Sequence, residues 1–259
     1  MVSCLTVTLA VGERLAHLKR SLETYCRQSY ACRELVLVID GGNIATRLAI
    51  RRAVDDLDRS DIRIVETHER LTLGALRNVA VNEARGDILC TWDDDDFHHP
   101  KRLERQVDVL REQGGLAVCM TEIMQFFPAE RRLFLTNWVG TPLKGAAGTL
   151  MWRKSARASY PEEGPDANIG EDLVVVAYLQ SLGGYHFLQG APHLYVYVSH
   201  GQNTCGDDHH RMIARELGVS KRMIQRREAE LRAGLTAFDF GPGDLTVEGA
   251  NGTAFVIEA

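Results

Sequence analysis

Four consecutive aspartates, Asp93–Asp96, are the side chains in this sequence best placed to do chemistry. Adjacent carboxylates repel one another, so a fold that fixes them side by side must offset the repulsion, and a divalent cation does this well because Mg²⁺ and Mn²⁺ prefer oxygen ligands. The alternatives are a solvated acidic loop or the acidic first turn of a helix that begins after Pro100. The segments around the run favour the cation.

The segment before the aspartates predicts a buried strand. Ile88, Leu89, Cys90 and Trp92 form a short apolar run. In a parallel sheet such a strand carries the residues that follow it to the carboxyl edge, where open α/β sheets bind their ligands. We therefore expect the acidic run to face a ligand pocket.

Two further polar side chains occupy comparable positions. Asp40 ends the apolar run Glu34–Ile39 and precedes Gly41 and Gly42, so it can accept hydrogen bonds from a nucleotide base or ribose; the alternative is a turn residue that bonds its local backbone. Arg77 lies on the predicted helix before the acidic strand, and its fork of donors suits a diphosphate. For Arg77 the alternative is an ordinary surface arginine.

The first hundred residues alternate strands and helices. The predicted strands are Leu5–Val11, Glu34–Ile39, Ile62–Val65 and the strand before Asp93, and the predicted helices follow Gly12 and cover Ile44–Leu57 and Leu73–Glu83. Such alternation predicts an α/β fold with a mostly parallel central sheet and helices on both faces.

The rest of the chain predicts shorter elements and a C-terminal appendage. We expect, in order, a strand at Leu116–Met120, a hairpin around Pro128–Glu130, a glycine-rich segment at Gly145–Trp152, a helix opened by Glu171 and Asp172, strands at Tyr185–Leu188 and Leu194–Val198, a polar loop at Asn203–His210, a charged helix at Ser220–Gly234 and a small β unit after Leu235. The expected division is a main domain, residues 1–218, and a helix-plus-β appendage, residues 219–259. Asp207–His210 are either a second metal site or simply exposed.

Composition excludes several classes of protein. The 259 residues are 45% hydrophobic, enough for a sizeable core, and the net charge of -5 argues against a nucleic-acid binder with a broad basic surface. The six cysteines form no CxxC pair, which indicates reduced core thiols and a cytoplasmic protein. No uncharged apolar run approaches about 18 residues, so we expect no transmembrane segment.

Five ordered motifs resemble those of the family-two glycosyltransferases. They are Val7–Arg14, Val38–Gly42, Gly74–Asn78, Gly86–Ile88 and Trp92–Pro100, and two later segments, Gly170–Leu173 and Val198–Asn203, are similar to the family's Glu-Asp and His-Gly-x-Asn motifs. The resemblance implies a single A-type, Rossmann-like glycosyltransferase catalytic domain over residues 1–218. In it, residues 1–100 are the nucleotide-binding half and residues 101–218 the acceptor-side half.

The resemblance also implies a ligand set. It consists of a nucleotide-diphosphate sugar donor, with a UDP-sugar expected first, an Mn²⁺ or Mg²⁺ ion, and inversion at the anomeric carbon. Carried over by motif, Asp40 contacts the base, Arg77 the nucleotide, Asp93 or Asp94 the ribose, and Asp95 the metal ion. After the first strand, Ala10–Glu13 stands where many relatives have Pro-Thr-Tyr-Asn, so Val11 and Glu13 are the expected donor contacts there and the base identity stays open.

The implied chemistry needs a cation and a base. Negative charge builds on the departing diphosphate, and a bound cation neutralises it where it develops. Mn²⁺ also accepts imidazole, so His200 is a candidate ligand beside Asp95; the alternative is a hydrogen-bonded loop histidine. The acceptor hydroxyl needs one carboxylate base. The aspartate of the Glu-Asp pair is the family's usual base, so we expect Asp172 rather than Glu171; the alternative is that both only cap a helix.

Two other classes of function stay open. A sugar-phosphate nucleotidyltransferase would use the same sheet and metal, although Gly12–Arg14 is a poor phosphate loop. A non-catalytic nucleotide-sugar-binding protein would keep Asp40 and Asp95 without needing a base. The acceptor is unknown, and we expect the C-terminal appendage to pack on the main domain or on a second copy in a homodimer.

Overall fold

The chain folds into two β-sheets flanked by helices, and the computed structural model describes residues 1–67 and 69–258. Within that range the strands are β1 (Val2–Leu9), β2 (Arg33–Asp40), β3 (Ile62–Glu66), β4 (Ile88–Thr91), β5 (Phe97–His98), β6 (Ala117–Met120), β7 (Glu122–Phe127), β8 (Arg132–Asn137), β9 (Ala146–Arg153), β10 (Tyr185–Leu188), β11 (Tyr195–Val198), β12 (Leu245–Gly249) and β13 (Gly252–Ile257). The helices are α1 (Leu15–Cys26), α2 (Ile44–Asp55), α3 (Leu73–Glu83), α4 (Arg102–Glu112), α5 (Glu171–Ser181), α6 (Asp207–Glu216), α7 (Lys221–Arg226) and α8 (Glu228–Leu235).

The larger sheet has seven strands in the order β10-β6-β9-β4-β1-β2-β3. Its pairs are parallel except those of β9, which runs antiparallel to both β4 and β6. The predicted α/β class with a mostly parallel sheet is confirmed. β4 lies beside β1, with Cys90 opposite Cys4, so the acidic run that follows Thr91 lies near the middle of the sheet's carboxyl edge.

Local sequence signals explain where these elements begin. Every residue of β2 is buried, as expected of a parallel strand covered on both faces. Asn43 caps the N-terminus of α2, since its side chain accepts a hydrogen bond from the Thr46 amide at 2.7 Å. Thr72 caps α3 in the same way, by accepting from the Ala75 amide at 3.3 Å. Each such cap stabilises its helix by about 1 kcal/mol.

Gly42 is required by packing between the ends of β1 and β2. It has a φ of +79°, and a Cβ added there would lie 2.2 Å from the carbonyl oxygen of Ala10. Only glycine therefore fits between these two strand ends.

Helices cover both faces of the seven-stranded sheet. Leu22 of α1, Ile50 of α2 and Val107 of α4 are buried in one core, and Leu76 of α3 and Val176 of α5 in the other. Full burial of one such side chain stabilises the fold by about 1.5–3 kcal/mol. The two cores hold the carboxyl edge of the sheet in place.

The second sheet has six strands in the order β13-β12-β8-β7-β11-β5, and it includes the C-terminal segment. β12 pairs in parallel with β8 and antiparallel with β13. A third core joins Phe97 and Val198 to Leu231 and Val247. The predicted β appendage therefore packs on the rest of the chain through a shared sheet, and its treatment as a separate unit from residue 219 stays a prediction.

The prediction of a polar loop over Asn203–His210 is wrong in its second half. Helix α6 begins at Asp207, directly after Gly206, with Asp207 and Asp208 in its first turn. Acidic side chains at a helix N-terminus are stabilised by the amide dipoles, so this polar run favours the start of a helix.

The prediction of one charged helix over Ser220–Gly234 is also wrong. Two helices, α7 and α8, meet at Arg227. The Arg227 guanidinium donates to Glu122 of β7 at 2.9 Å and to Glu230 at 3.3 Å. The break therefore coincides with a tertiary contact that helical periodicity could not indicate.

The structure also bears on membrane insertion. Across residues 1–67 and 69–258, the helices lack the length and apolar character that crossing a bilayer requires.

Candidate active site

The four aspartates after β4 have different environments, and Asp96 is the structural one. Asp96 is fully buried and accepts hydrogen bonds from the Tyr195 hydroxyl and from the Val198 amide at 2.8 Å. Burial, together with the charges of Asp95 and Asp93, raises the pKa of Asp96 well above its usual value. Asp96 thus anchors the acidic loop to β11.

Asp94 and Asp95 share one arginine. The Arg14 guanidinium donates to both oxygens of Asp94, with Nε 3.3 Å from Oδ2, and its Nη2 is 3.1 Å from Oδ2 of Asp95. Burial, followed by the charge of Asp95, raises the pKa of Asp94 to about 6. Burial alone would raise the pKa of Asp95 as well, but the hydrogen bond with His200 and the charge of Arg14 lower it. Asp95 is therefore the more strongly ionised of the two.

The predicted metal ligand His200 reaches Asp95 from the far end of the chain. Its Nε2 lies 3.0 Å from Oδ2 of Asp95, and its ring stacks on His17 with centroids 4.3 Å apart. Asn203 fixes the loop because its side chain accepts from the His200 amide at 2.9 Å and donates to the Val198 carbonyl at 2.9 Å. The His-Gly-x-Asn segment is thus a turn that presents His200 to the acidic loop.

Arg77 connects the nucleotide-side loop with the acceptor-side helix. Its Nη2 donates to Asp93 at 3.1 Å and its Nε to Glu171 at 3.0 Å, and the guanidinium carbon lies 5.7 Å from the centre of the Tyr160 ring. Because the Arg77 and Glu171 side chains are only 13% and 5% exposed, water screens this pair weakly. Arg77 is therefore a buried bridge rather than a surface residue.

The two carboxylates that open α5 differ in their hydrogen-bond partners. Glu171 is buried and its Oε1 is held by Arg77. Asp172 is partly exposed, and its Oδ1 accepts from the amide of Leu173 at 2.8 Å. Burial raises the pKa of Asp172, and the positive charge of Arg77 opposes the rise. Both residues lie in the first turn of a helix, as predicted.

A cavity of about 570 Å³ lies between the acidic loop, α5, β9 and α6. This volume is in the range of small-molecule sites. Gly148 of β9 lines the cavity, and a Cβ added there would lie 2.6 Å from the Tyr195 hydroxyl and 3.3 Å from Oδ2 of Asp93. The glycine-rich strand therefore both packs closely and leaves room in the cavity.

The structure brings together most of the residues predicted to bind ligand. The predicted residues that line the cavity are Arg77, Asp93, Asp94, Asp95, Glu171 and Asp172. His200 joins them through Asp95. These residues come from both predicted halves of the chain, so the halves share one cavity.

The remaining predicted residues lie elsewhere. Asp40 is buried at the end of β2, where Thr67 Oγ1 donates to its Oδ1 at 3.3 Å, and it is not part of the cavity lining. Val11 and Glu13 are exposed on the turn after β1, and Glu13 accepts from Gln202 Nε2 at 2.7 Å. All three stay predictions as donor contacts.

Three residues that shape the site, Arg14, Tyr195 and Gly148, are not indicated by the sequence patterns. Arg14 is 80 positions from Asp94 in sequence, so no local pattern pairs it with the acidic run. Tyr195 binds Asp96 across 99 positions of sequence, and Gly148 makes room for that hydroxyl. A lone tyrosine and a lone glycine carry no pattern that indicates such a contact.

The donor set around Asp95 fits a hard divalent ion held through few protein ligands. Asp95 supplies a carboxylate oxygen and His200 an imidazole nitrogen, 3.0 Å apart. Mg²⁺ and Mn²⁺ commonly bind through one or two side chains, with phosphate oxygens and water as the other ligands. In the described part of the chain, Asp207–His210 included, no group of three or more His, Cys, Asp or Glu side chains is arranged to hold a metal ion. Phosphate oxygens or water would complete the coordination.

The fold is that of the A-type glycosyltransferases. Staphylococcus aureus TarS 1-349 in complex with UDP-GlcNAc superposes with a TM-score of 0.61 and 14% identity over 90% of this chain and 66% of that one. The mannosyltransferase PcManGT from Pyrobaculum calidifontis, in complex with GDP-Man and Mn²⁺, gives 0.58 and 16% over 91% of this chain and 68% of its own. At these identities the likeness establishes the fold.

The chain belongs to glycosyl transferase family 2, whose family model matches residues 7–153. EpsE of Bacillus subtilis, named as a glycosyltransferase, is 32% identical over 147 residues, 54% of this chain and 52% of EpsE. MJ1057 of Methanocaldococcus jannaschii, also named as a glycosyltransferase, is 33% identical over 106 residues, 41% of this chain and 36% of MJ1057. The chain thus spans about half or less of the length of these two relatives.

Proposed function

We propose that this protein is a metal-dependent inverting glycosyltransferase that moves a sugar from a nucleotide-diphosphate sugar to an acceptor hydroxyl. One observation carries the proposal. The acidic loop after β4 and the Glu171-Asp172 pair at the start of α5 line the same cavity, and Arg77 joins them. A donor bound at the loop and an acceptor bound at α5 would therefore meet in one cavity.

We assign donor binding to the nucleotide side of the cavity. Arg77 would donate to the nucleotide, and Asp93 or Asp94 would accept from the ribose hydroxyls. Arg77 and Asp93 are already aligned by a 3.1 Å contact, which supports this assignment. Asp40, with Val11 and Glu13, is assigned to the base and the donor rim. We take a UDP-sugar as the first candidate donor because TarS was solved with UDP-GlcNAc, and GDP-mannose as the second because of PcManGT.

Asp95 and His200 would hold the Mn²⁺ or Mg²⁺ ion. Bound there, the ion supplies positive charge against the oxygens of the departing diphosphate. The low pKa of Asp95 keeps its carboxylate ionised, and the turn closed by Asn203 fixes the position of His200. This pair therefore needs little rearrangement to act as a ligand set.

Asp172 is the proposed base for the acceptor hydroxyl. Glu171 is already held by Arg77, whereas Asp172 lines the cavity and keeps partial access to solvent. Its raised pKa makes its carboxylate a better proton acceptor than an ordinary aspartate. The sugar would be attacked from the acceptor side while the diphosphate leaves toward the acidic loop, which gives inversion.

The wider setting is also a proposal. All six cysteines are free thiols in the structure, which supports a reducing compartment such as the cytoplasm. Residues 1–218 are the proposed catalytic domain, and residues 219–259 the proposed appendage. The acceptor and a homodimer stay predictions.

Incubation with Mn²⁺ and a panel of UDP- and GDP-sugars tests this function. We expect release of the nucleoside diphosphate, faster when an acceptor is present and abolished by a metal chelator. Release of inorganic diphosphate from a nucleoside triphosphate and a sugar phosphate would instead indicate a nucleotidyltransferase. Tight donor binding without turnover would indicate a non-catalytic binding protein.

The role of Asp172 is tested by Asp172→Asn with Asp166→Asn as its matched control. Asp166 is exposed and lies outside the cavity lining, so its amide variant should turn over normally. Asp172→Asn should keep its affinity for the donor and lose transfer by about 10²–10⁴-fold. Near-normal turnover in Asp172→Asn would remove this residue from the mechanism.

A further inference from the structure

Arg14 occupies the position where a cation would be needed in the acidic loop. Its guanidinium spans two adjacent carboxylates, contacting both oxygens of Asp94 and, at 3.1 Å, Oδ2 of Asp95. The side chains of Asp94 and Asp95 are 2% and 11% exposed, and that of Arg14 is 18% exposed. Two carboxylates this poorly hydrated need a counter-ion, and Arg14 supplies one.

Arg14 contacts the same carboxylate oxygen that is assigned to the metal ion. Oδ2 of Asp95 accepts from Arg14 and also faces His200 Nε2 at 3.0 Å. Asp95 and His200 are the two side chains that would hold the metal ion, so the ion would share Oδ2 of Asp95 with the guanidinium. A divalent ion and a guanidinium on one poorly hydrated carboxylate repel each other, and this repulsion favours displacement of the guanidinium when the ion binds.

The turn that carries Arg14 is suited to such a movement. Gly12–Arg14 is a single short 3₁₀ turn between β1 and α1, and none of its residues is buried. One side-chain hydrogen bond, from Gln202 to Glu13 at 2.7 Å, ties it to the loop that carries His200. Arg14 also lines the cavity, so a small displacement would direct it at phosphate oxygens bound there.

We infer that Arg14 is the internal counter-ion of the acidic loop, which releases Asp95 when a divalent cation binds and then contacts the donor's diphosphate. The inference rests on the proposed function for the identity of the ligands. Its physical content is narrower: an internal cation lowers the affinity of the acidic loop for a metal ion on its own. Metal binding would then be favoured when a diphosphate arrives to take the guanidinium.

Titration with Mn²⁺ alone, without nucleotide, tests the inference by calorimetry or by the electron paramagnetic resonance signal of free Mn²⁺. Arg14→Met removes the competitor and should bind Mn²⁺ roughly tenfold to a hundredfold more tightly than the natural protein, the range expected when a charge-assisted contact no longer occupies the ligand. Arg14→Lys keeps a positive charge for folding but loses the two-pronged guanidinium. Its affinity for Mn²⁺ should lie between those of the natural protein and Arg14→Met. If Arg14 only supported the fold, its substitution would not raise the affinity for Mn²⁺.

Arg51→Met is the matched control. Arg51 pairs with Glu66 at 2.9 Å far from the cavity, so its loss should leave Mn²⁺ affinity unchanged. Asp95→Asn removes the carboxylate for which the two cations compete. It should weaken Mn²⁺ binding when made alone, and combined with Arg14→Met it should abolish the gain in Mn²⁺ affinity. Equal or weaker Mn²⁺ binding in both Arg14 variants overturns the inference.

Turnover measured in parallel separates this inference from the proposed function. If the natural protein transfers sugar with Mn²⁺ while Arg14→Met binds the ion no more tightly, the counter-ion role is wrong and the function stands. If Arg14→Met binds Mn²⁺ more tightly but the natural protein neither binds nor turns over any nucleotide sugar, the counter-ion role stands and the proposed function fails.

Discussion

Loss of Arg77 should destabilise the fold more than loss of an ordinary arginine. Arg77→Met removes the guanidinium that holds Glu171 at 3.0 Å and Asp93 at 3.1 Å. The Glu171 side chain is 5% exposed, so the substitution leaves a charge that water cannot easily reach, whereas Asp93, at 25%, is partly hydrated. The Glu171 contact therefore carries most of the effect.

The expected loss is about 3 kcal/mol in the free energy of unfolding, the low end for breaking a buried ion pair because Asp93 can be solvated. For a chain of this size that loss lowers the melting temperature by roughly 6–12 °C. Urea unfolding followed by tryptophan fluorescence measures it, with an unchanged m-value as the sign of two-state behaviour. Donor affinity should fall in the same variant.

A double-mutant cycle with Glu171→Gln isolates the pair. The glutamine amide is neutral, so the double variant Arg77→Met/Glu171→Gln leaves no unpaired buried charge. It should be more stable than Arg77→Met, with a coupling energy of about 2 kcal/mol. Arg51→Met, which breaks the surface pair of Arg51 with Glu66, should cost about 0.5 kcal/mol. A loss below about 1 kcal/mol for Arg77→Met, with coupling near zero, would refute the view that this bridge is buried and energetically significant.

Three further predictions follow from other contacts. Tyr195→Phe leaves the buried Asp96 without a hydroxyl donor and should cost about 1.5–3 kcal/mol in urea unfolding; a change within error would show that water replaces the hydroxyl. Asp172 must be ionised to act as the base, and its pKa is raised. The acidic limb of the pH–kcat profile should therefore lie above the ordinary aspartate value of 3.8. An acidic limb at or below that value contradicts the assignment of Asp172 as the base. Burial tends to raise the pKa of Asp61, but hydrogen bonds, led by the one from Arg59, lower it below the ordinary value. The contribution of ionised Asp61 to the stability of the fold is therefore complete above pH 3.8 and is lost as the pH falls through the lowered pKa. Asp61→Asn should cost about 1 kcal/mol of unfolding free energy at neutral pH and less in acid, as urea unfolding at the two pH values would show.

The elements of the first hundred residues were predictable because the local sequence signals agree with the packing of the folded chain there. The helix predicted over Leu73–Glu83 has those bounds in the structure, since Thr72 caps its start and β4 follows after a short turn. The strand before Asp93 was likewise predicted, because a fully buried parallel strand is a continuous apolar run.

The later part of the chain was predicted less well because its elements depend on partners distant in sequence. Helix α6 begins at Asp207, within a run of polar residues. It is held through its buried face, where His210 Nε2 donates to the Cys205 carbonyl and the His210 carbonyl accepts from Gln125 of β7. The break at Arg227 depends on Glu122, more than a hundred positions earlier. Neither partner could be chosen from the sequence.

The sequence by itself determined the α/β class, the family resemblance and the types of side chain at the site, because strand periodicity and the motif residues are local properties. The tertiary structure decided which carboxylate does what. In the folded chain Asp96 accepts a hydrogen bond from Tyr195, and Asp94 and Asp95 both pair with Arg14. Arg77 donates a hydrogen bond to Glu171 and not to Asp172. Four adjacent aspartates are equivalent in sequence, and only the direction of each side chain in the folded loop separates their burial, partners and charge.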